Sequence, residues 1–227
     1  MAKFDTFGDK FNDNVIDGAK WDPWGTNSSV GEANQQLEIT LAVDPLTGYA
    51  GIASDNTYDL TASYVLIELK SLPSSGGNSE SSFEVYVDSG NKISWFSAWG
   101  WLYANYTVSD STTWHGEIAY NASTTKWLRI REASSTTYWD YSANGTSWTN
   151  LTSVSNPITV TALQIEIAAG NWEAEAAPGY FKLDNFNPDA VAGPAGVKKI
   201  NELAIDSVKT INELAIRSVK TINNSAA

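Results

Sequence analysis

The chain has 227 residues, of which 42% are hydrophobic and 18% charged, with a net charge of −12 and no cysteine. This length suits one sizeable domain with an appendage, and the hydrophobic fraction excludes a disordered acidic chain. The acidic balance argues against a nucleic-acid partner and against binding to an anionic membrane surface. The lack of thiols excludes disulfide and thiolate chemistry.

Strand patterns dominate residues 1–187, where short alternating or β-branched runs are separated by clusters of Gly, Asn, Asp, Ser and Pro. We find no convincing amphipathic helix in this region. The predicted fold class is all-β, a two-sheet antiparallel jelly-roll sandwich over residues 1–187. In chain order the predicted strands are QQLEITL (35–41), SYVLIELKSL (63–72), SSFEVYVD (81–88), KISWFSAWGWLYANYTV (92–108), KWLRIRE (126–132), TTYWDYS (136–142), SWTNL (147–151), ALQIEIAA (162–169) and GYFKLDNF (179–186).

Two segments between or after these strands have clear turn or linker composition. The sequence Ala143-Asn144-Gly145-Thr146 predicts a type I′ hairpin, because Asn and Gly both tolerate positive φ. Residues 188–197 (PDAVAGPAGV) are rich in Pro and Gly and are predicted to be a linker.

The alternation of side chains along the strands predicts one core face and one face that mixes aromatic and charged groups. The run from Ile93 to Tyr106 is apolar on both faces. An exposed row of aromatic rings beside charged groups suits sugar binding, because rings stack on pyranose faces and charged groups bond hydroxyls. The alternative is that each Trp fills the core. The predicted glycan platform consists of Trp95, Trp99, Trp101, Tyr86, Glu84, Arg129 and Arg131.

The run KWLRIREASSTTYWDYSANGTSWTNL (126–151) resembles the concanavalin A-like lectin/glucanase superfamily, the laminin-G-like jelly rolls. The opening FGDKFNDNVIDGAKWDPW (7–24) is similar to the usual first strand of these proteins, and GYFKLDNFNP (179–188) to the last. The likeness covers about residues 4–188 and implies a jelly-roll fold. It does not choose a function, because this fold is found in lectins, hydrolases and virion proteins alike.

Catalytic and metal motifs are sparse. Glucanases of this superfamily carry E-x-D-x-x-E on one strand of the concave sheet, and we do not identify that motif here; the nearest carboxylates are Glu166, Glu173 and Glu175. We therefore predict no enzymatic activity. The lone histidine is interpreted as a turn residue. The resemblance allows calcium, which laminin-G-like domains often bind, yet the Asp-rich segment 9–17 fits an Asx-rich turn better, so no metal site and no cofactor are predicted.

The last thirty residues, 198–227, contain two nearly identical eleven-residue blocks and the start of a third. An eleven-residue period suits a nearly straight helical stripe, and a helix of this length needs a partner. The alternative is a small β-solenoid or strand array. We predict a helical docking or oligomerisation tail, whose stripe comprises Ile200, Leu203, Ala204, Val208, Ile211, Leu214, Ala215, Val219 and Ile222.

The tail blocks also resemble tandem C-terminal repeats of bacteriophage structural proteins. With the absence of an N-terminal apolar run, this predicts a non-enzymatic virion protein, made in the host cytoplasm without a signal peptide, such as a capsid decoration, head fibre or tail component. Its predicted partners are other virion proteins or copies of itself, with surface glycans as a further ligand and no nucleic acid or membrane. The alternatives are a free-standing carbohydrate-binding module or a glycoside hydrolase.

Overall fold

The computed structural model describes residues 1–188. The rest of the predicted linker and the whole predicted tail, with its stripe from Ile200 to Ile222, lie outside the described residues. A single 3-10 helix (Phe4–Thr6) precedes the strands. The strands are β1 (Trp21–Gly25), β2 (Ser29–Ala33), β3 (Gln36–Thr40), β4 (Gly48–Ser54), β5 (Tyr64–Ser71), β6 (Ser79–Asp88), β7 (Asn91–Ala98), β8 (Trp101–Val108), β9 (Ser111–Ala119), β10 (Trp127–Ala133), β11 (Thr136–Ser142), β12 (Thr149–Ser155), β13 (Gln164–Asn171) and β14 (Tyr180–Asp184).

These strands form the predicted antiparallel jelly-roll sandwich, with seven strands in each sheet. Sheet A has the order β1-β4-β13-β6-β7-β8-β9, and sheet B has the order β12-β11-β10-β5-β14-β3-β2. Strands β6 and β13 therefore pair in the middle of sheet A although they are distant in the chain. Within residues 1–188 no helix is long and apolar enough to cross a membrane.

The core lies between the sheets and is built from alternate residues of each strand. Val65 and Ile67 of β5 and Ile130 of β10 are fully buried, as the alternation of their strands predicts. Two buried indoles also connect the sheets, because Trp95 Nε1 donates to the Arg129 carbonyl at 3.1 Å and Trp139 Nε1 donates to the Ser94 carbonyl at 2.8 Å. The sandwich thus satisfies the polar atoms of its largest core side chains.

The start and the end of the sandwich are held together by one buried asparagine. The Asn187 side-chain amide donates to the carbonyls of Phe4 and Phe7, each at 2.9 Å. Its Oδ1 accepts from the backbone N–H of Leu66 at 2.8 Å. A buried amide with all of these partners fixes the N-terminal segment against sheet B.

Several strands differ from the prediction. The long run 92–108 is two strands, β7 and β8, joined by a turn at Trp99 and Gly100. Strands β2, β4 and β9 were not predicted, and β1 occupies only the end of the segment 7–24 that resembles a first strand. Strand β9 lies at the edge of sheet A and is largely exposed, so it lacks the apolar alternation that identifies a half-buried strand.

The prediction of a type I′ turn at Asn144-Gly145 is wrong. Only Gly145 has a positive φ, of 73°, and strands β11 and β12 are separated by the longer loop 143–148. In that loop the Asn144 side chain accepts hydrogen bonds from the N–H groups of Thr146 and Ser147. Asn144 therefore stabilises the loop through its side chain, without a left-handed backbone conformation.

Candidate functional site

The outer face of sheet A carries a cleft whose side chains are placed by strand register. Glu84 of β6 lies opposite Glu166 of β13 on one side and Ser94 of β7 on the other. Directly opposed residues of antiparallel strands point to the same face, so these three side chains form one row. Asn105 of β8 extends the row, since it pairs with Ser94.

The next row supplies the floor and the walls of the cleft. Small residues occupy its centre, where Ser82 pairs with Ala168 and Ala168 pairs with Gly51. Aromatic residues stand at both sides, with Trp24 opposite Gly51 and Phe96 opposite Ser82. The resulting cleft has a volume of about 380 Å³. Flat rings over a floor of small side chains leave room for a flat ligand.

One wall is an aromatic cluster in which the rings support one another. The centroid of the Trp114 ring lies 5.5 Å from Phe96 and 5.4 Å from Tyr103, in edge-on arrangements. Trp114 is 57% exposed although it makes both contacts. Its ring is therefore held in position with much of its surface open to solvent.

The acidic centre of the cleft has a defined charge arrangement. Lys92 Nζ lies 3.2 Å from Glu84 Oε1, and the Ser94 hydroxyl donates to Glu84 Oε2 at 3.1 Å. Burial raises the pKa of Glu166 to about 7, and the neighbouring Glu84 adds to this effect. The Glu84 carboxylate is thus stabilised by two partners, while the environment of Glu166 favours the protonated form.

A third carboxyl group, Glu80, lies two pleats along β6 from Glu84. Its Oε1 accepts from the Tyr49 hydroxyl at 2.8 Å, and burial raises the pKa of Glu80. Gly170 makes this contact possible, because a Cβ at that position would overlap the Tyr49 ring. Burial and the bond to Glu80 raise the pKa of Tyr49 as well.

The structure brings some residues of the predicted platform together and separates others. Glu84 lies in the cleft. Tyr86 lies two residues along β6 on the same face, and its burial, together with the charges of Glu166 and Glu84, raises the pKa of Tyr86. Trp101 is exposed at the end of the same face. Trp95 is 1% exposed and belongs to the core, so its predicted place in a binding platform is wrong.

Arg129 and Arg131 lie on sheet B, away from the cleft. Both guanidinium groups bind Asp140 Oδ2 at 2.7 Å. Arg129 also stacks over the ring of Trp148 and Arg131 over that of Tyr138. The prediction placed these arginines beside Glu84, but strand β10 is in the other sheet, so their charges are used on the opposite side of the sandwich.

Several cleft residues were not found from the sequence. Trp114 was overlooked because strand β9 was not predicted, and Trp24 was not selected although it ends the segment 7–24 that resembles a first strand. Glu80 and Glu84 stand in the run E-S-S-F-E (80–84), where alternation puts both carboxyl groups and Ser82 on one face. Compared with E-x-D-x-x-E, this run has Ser82 in place of the Asp, and its second Glu comes one residue earlier. A search for carboxyl groups at alternate strand positions would have detected Glu80 and Glu84.

The other residues considered for chemistry lie outside the cleft. Glu173 and Glu175 are in the loop after β13, where Glu175 accepts from the Asn78 N–H at 2.5 Å. Asp9, Asp13 and Asp17 each accept from the N–H two residues on, which makes them Asx turns. Among residues 1–188 no group of three or more His, Cys, Asp or Glu side chains is arranged to hold a metal ion.

Comparison with solved structures shows the fold. The chain is similar to a prokaryotic β-1,3-1,4-glucanase (lichenase) derived from a mouse hindgut metagenome, with 12% identity, a TM-score of 0.56, and coverage of 80% of this chain and 95% of that one. It is similar to the laminarinase from Flavobacterium sp. UMI-01, with 11% identity, a TM-score of 0.59, and coverage of 79% and 97%.

A third similar structure is the exoplasmic/lumenal domain of VIP36, in its Ca²⁺/Man3GlcNAc-bound form, with 10% identity, a TM-score of 0.56, and coverage of 78% and 89%. All three have the concanavalin A-like jelly-roll fold, which this chain shares. No family model and no curated protein matches the sequence.

Proposed function

We propose that this protein binds a carbohydrate chain in the cleft on the outer face of sheet A. The observation that carries the proposal is the cleft itself, in which Trp24 and Phe96 stand on either side of a floor of small residues and Glu84 and Glu166 lie beside that floor. Aromatic rings stack on the apolar faces of sugars, and carboxyl groups accept hydrogen bonds from their hydroxyls. The similar structures of a lichenase, a laminarinase and a Man3GlcNAc-bound domain support this choice of ligand.

A neutral glycan fits the charges of the cleft better than an acidic one. Three carboxyl groups, of Glu80, Glu84 and Glu166, line the cleft, and Lys92 is the one cationic side chain among the described residues that line it. Lys92 is already paired with Glu84. A uronate or sulfate group would meet these carboxyl groups without a free cation to neutralise it.

Hydrolysis is a second candidate function, and a specific pair of residues favours it. Glu84 and Glu166 are directly opposed, and such residues have Cβ atoms about 4.5–5.5 Å apart. This spacing lets their carboxyl groups reach the separation of about 5–5.5 Å that a retaining glycosidase needs. The two carboxyl groups also have contrasting environments, as an acid and a nucleophile require. In this mechanism Glu166 protonates the glycosidic oxygen, and the bond from that oxygen to the anomeric carbon breaks as the Glu84 carboxylate attacks the carbon. Glu166 then accepts a proton from the water that displaces Glu84 and frees the sugar.

One set of variants tests binding and hydrolysis together. With mixed-linkage and β-1,3-linked glucose oligomers as probes, Trp114→Ala is expected to weaken binding about tenfold by calorimetry, the effect of one lost stacking contact. Its melting temperature should change little because the ring is largely exposed. Trp148→Ala, on sheet B, is the matched control and should bind like the original protein.

If the protein is a hydrolase, reducing ends accumulate with time, and Glu84→Gln and Glu166→Gln each abolish their release while binding persists. If oligomers bind but no reducing ends appear, the protein is a binding module only. Failure of the original protein to bind any of the oligomers, or equal affinities of the Trp114 and Trp148 variants, would contradict the proposal.

The virion role remains a proposal that rests on the repeats at residues 198–227 and on their resemblance to phage proteins. In this proposal the sandwich binds a surface glycan, and the tail attaches it to other virion proteins or to copies of itself. That the protein resides in the virion is likewise a proposal. The binding of calcium is also a proposal, which rests on the resemblance alone.

A further inference from the structure

We propose that Trp99 and Trp172 form a second sugar-stacking station beyond the cleft, so that the ligand is an extended polysaccharide chain. This inference rests on the proposed carbohydrate binding and specifies the kind of carbohydrate. It begins from the β7–β8 hairpin, where Trp99 occupies the first central position of a two-residue turn. Ala98 pairs with Trp101 across this turn.

The backbone at Trp99 has a conformation that a tryptophan rarely adopts. Its φ is 53° and that of Gly100 is 79°, so both central residues are in the left-handed region, as a type I′ turn requires. Asn, Asp and Gly are the residues that suit this position, whereas a bulky side chain is an outlier. The strands on either side hold the turn in this conformation, and residues strained in this way cluster at binding and active sites, which makes the Trp99 side chain a candidate for a binding role.

The indole of Trp99 is not used to fill the core. Trp99 is 54% exposed and Trp172 is 37% exposed. Their ring centroids are 5.6 Å apart and the ring planes make an angle of 72°, so the edge of one ring packs against the face of the other. Two large apolar rings held together in solvent form a surface to which a flat apolar face can bind.

The pair lies at the end of the strands that line the cleft. Ala98, the residue before Trp99, pairs with Glu80 of the cleft, and Asn171, the residue before Trp172, pairs with Ser79. Trp101, also exposed, shares the outer face with Ala98. A chain that lies in the cleft beside Glu80 therefore reaches these rings if it continues past the strand ends, which favours a longer glycan over another occupant.

The test compares short and long glucose oligomers on the full chain. We expect the original protein to bind a β-linked hexasaccharide more tightly than the trisaccharide. In Trp99→Asn the ratio of hexasaccharide to trisaccharide affinity should fall by about tenfold, the loss of one stacking contact. The melting temperature should stay equal or rise, because Asn suits the left-handed turn. Trp172→Ala should lower the same ratio.

Ser134→Asn is the matched control, since Ser134 is a positive-φ residue in another two-residue hairpin and should leave the ratio unchanged. If the original protein binds both oligomers equally, or if Trp99→Asn keeps the original ratio, the second station is refuted while the cleft proposal stands. A change in self-association of Trp99→Asn without a change in the ratio would identify a protein interface and overturn the inference. Failure to bind either oligomer would refute the cleft proposal and this one together.

Discussion

Glu32 illustrates at the residue scale how burial controls a single ionisable group outside the cleft. Burial, the neighbouring Asp13 and the charge of Asp9 raise the pKa of Glu32 from 4.5 to about 7. Its Oε2 atom is buried and has no hydrogen-bond partner among residues 1–188. The pKa of Glu32 is higher in the folded protein than in the unfolded chain. Between pH 4.5 and about 7, Glu32 is therefore still protonated in the folded protein but already ionised in the unfolded chain. Ionisation of Glu32 therefore destabilises the fold as the pH rises toward 7 and above it.

We predict that Glu32→Gln removes part of this pH dependence. The amide is neutral at every pH, so the variant should melt at a higher temperature than the original protein at pH 8 and at nearly the same temperature near pH 4.5. Thermal unfolding across this range, followed by circular dichroism, measures the difference. Glu166 has a pKa shift of the same sign, so a smaller slope should remain in the variant.

Glu38→Gln is the control with the opposite sign. Hydrogen bonds from Gln36 and Asn34 and the charge of Lys182 lower the pKa of Glu38. A carboxyl group whose pKa is lowered by folding stabilises the fold at pH values above its pKa in the unfolded chain. Glu38→Gln removes this contribution, so the variant should be less stable than the original protein at pH 8. A Glu32 variant that is less stable than the original protein at pH 8 would show that its carboxylate is favourably bound.

At the scale of single elements, the hairpins of this protein use turn sequences that the usual rules do not identify. Among residues 1–188, four two-residue hairpins have positive φ at both central residues, and the prediction found none of them. Only one of the four contains glycine, because register and packing of the strands impose the turn geometry. The central pairs are Asn34-Gln35, Trp99-Gly100, Ser109-Asp110 and Ser134-Ser135.

The β10–β11 hairpin offers an element-scale prediction. Ser134 and Ser135 have φ values of 53° and 62° and are exposed. The double change Ser134→Asn and Ser135→Gly should raise the free energy of unfolding by about 1 kcal/mol, since it places the preferred residues in the left-handed region. Chemical denaturation measures the gain. A loss of stability would indicate that the serine side chains make contacts that outweigh the backbone strain.

At the scale of the whole molecule, the two-sheet sandwich explains why the acidic cleft and the pair of arginines cannot bind the same ligand. Glu84 and Glu166 face outward from sheet A, whereas Arg129 and Arg131 face outward from sheet B, with the core between them. A ligand in the cleft therefore meets Lys92 as its nearest cationic side chain among the described residues that line it. The two sheets give the protein two chemically different surfaces.

We also predict that the sandwich functions without the repeats. A chain that ends at Pro188 should keep the melting temperature and the glycan affinity of the full chain, because Asn187 and the contacts it makes are retained. If the repeats mediate assembly, this chain should run as a monomer in size-exclusion chromatography with light scattering, while the full chain forms a larger species. A full chain that is itself monomeric and attaches to no particle would contradict the anchoring role.

The fold class and most of the central strands were predictable from the sequence, because a period of two is a local property that any half-buried strand displays. It also proposed Glu84, Tyr86, Trp99 and Trp101 for the platform, but it put the buried Trp95 in the same group. Tertiary structure alone decided which strands became neighbours, since β6 and β13 pair across a long separation in the chain. That pairing places Glu166 against Glu84. The packing of sheet B on sheet A buries Trp95, and the membership of β10 in sheet B puts both arginines on the far side, through contacts that no local pattern encodes.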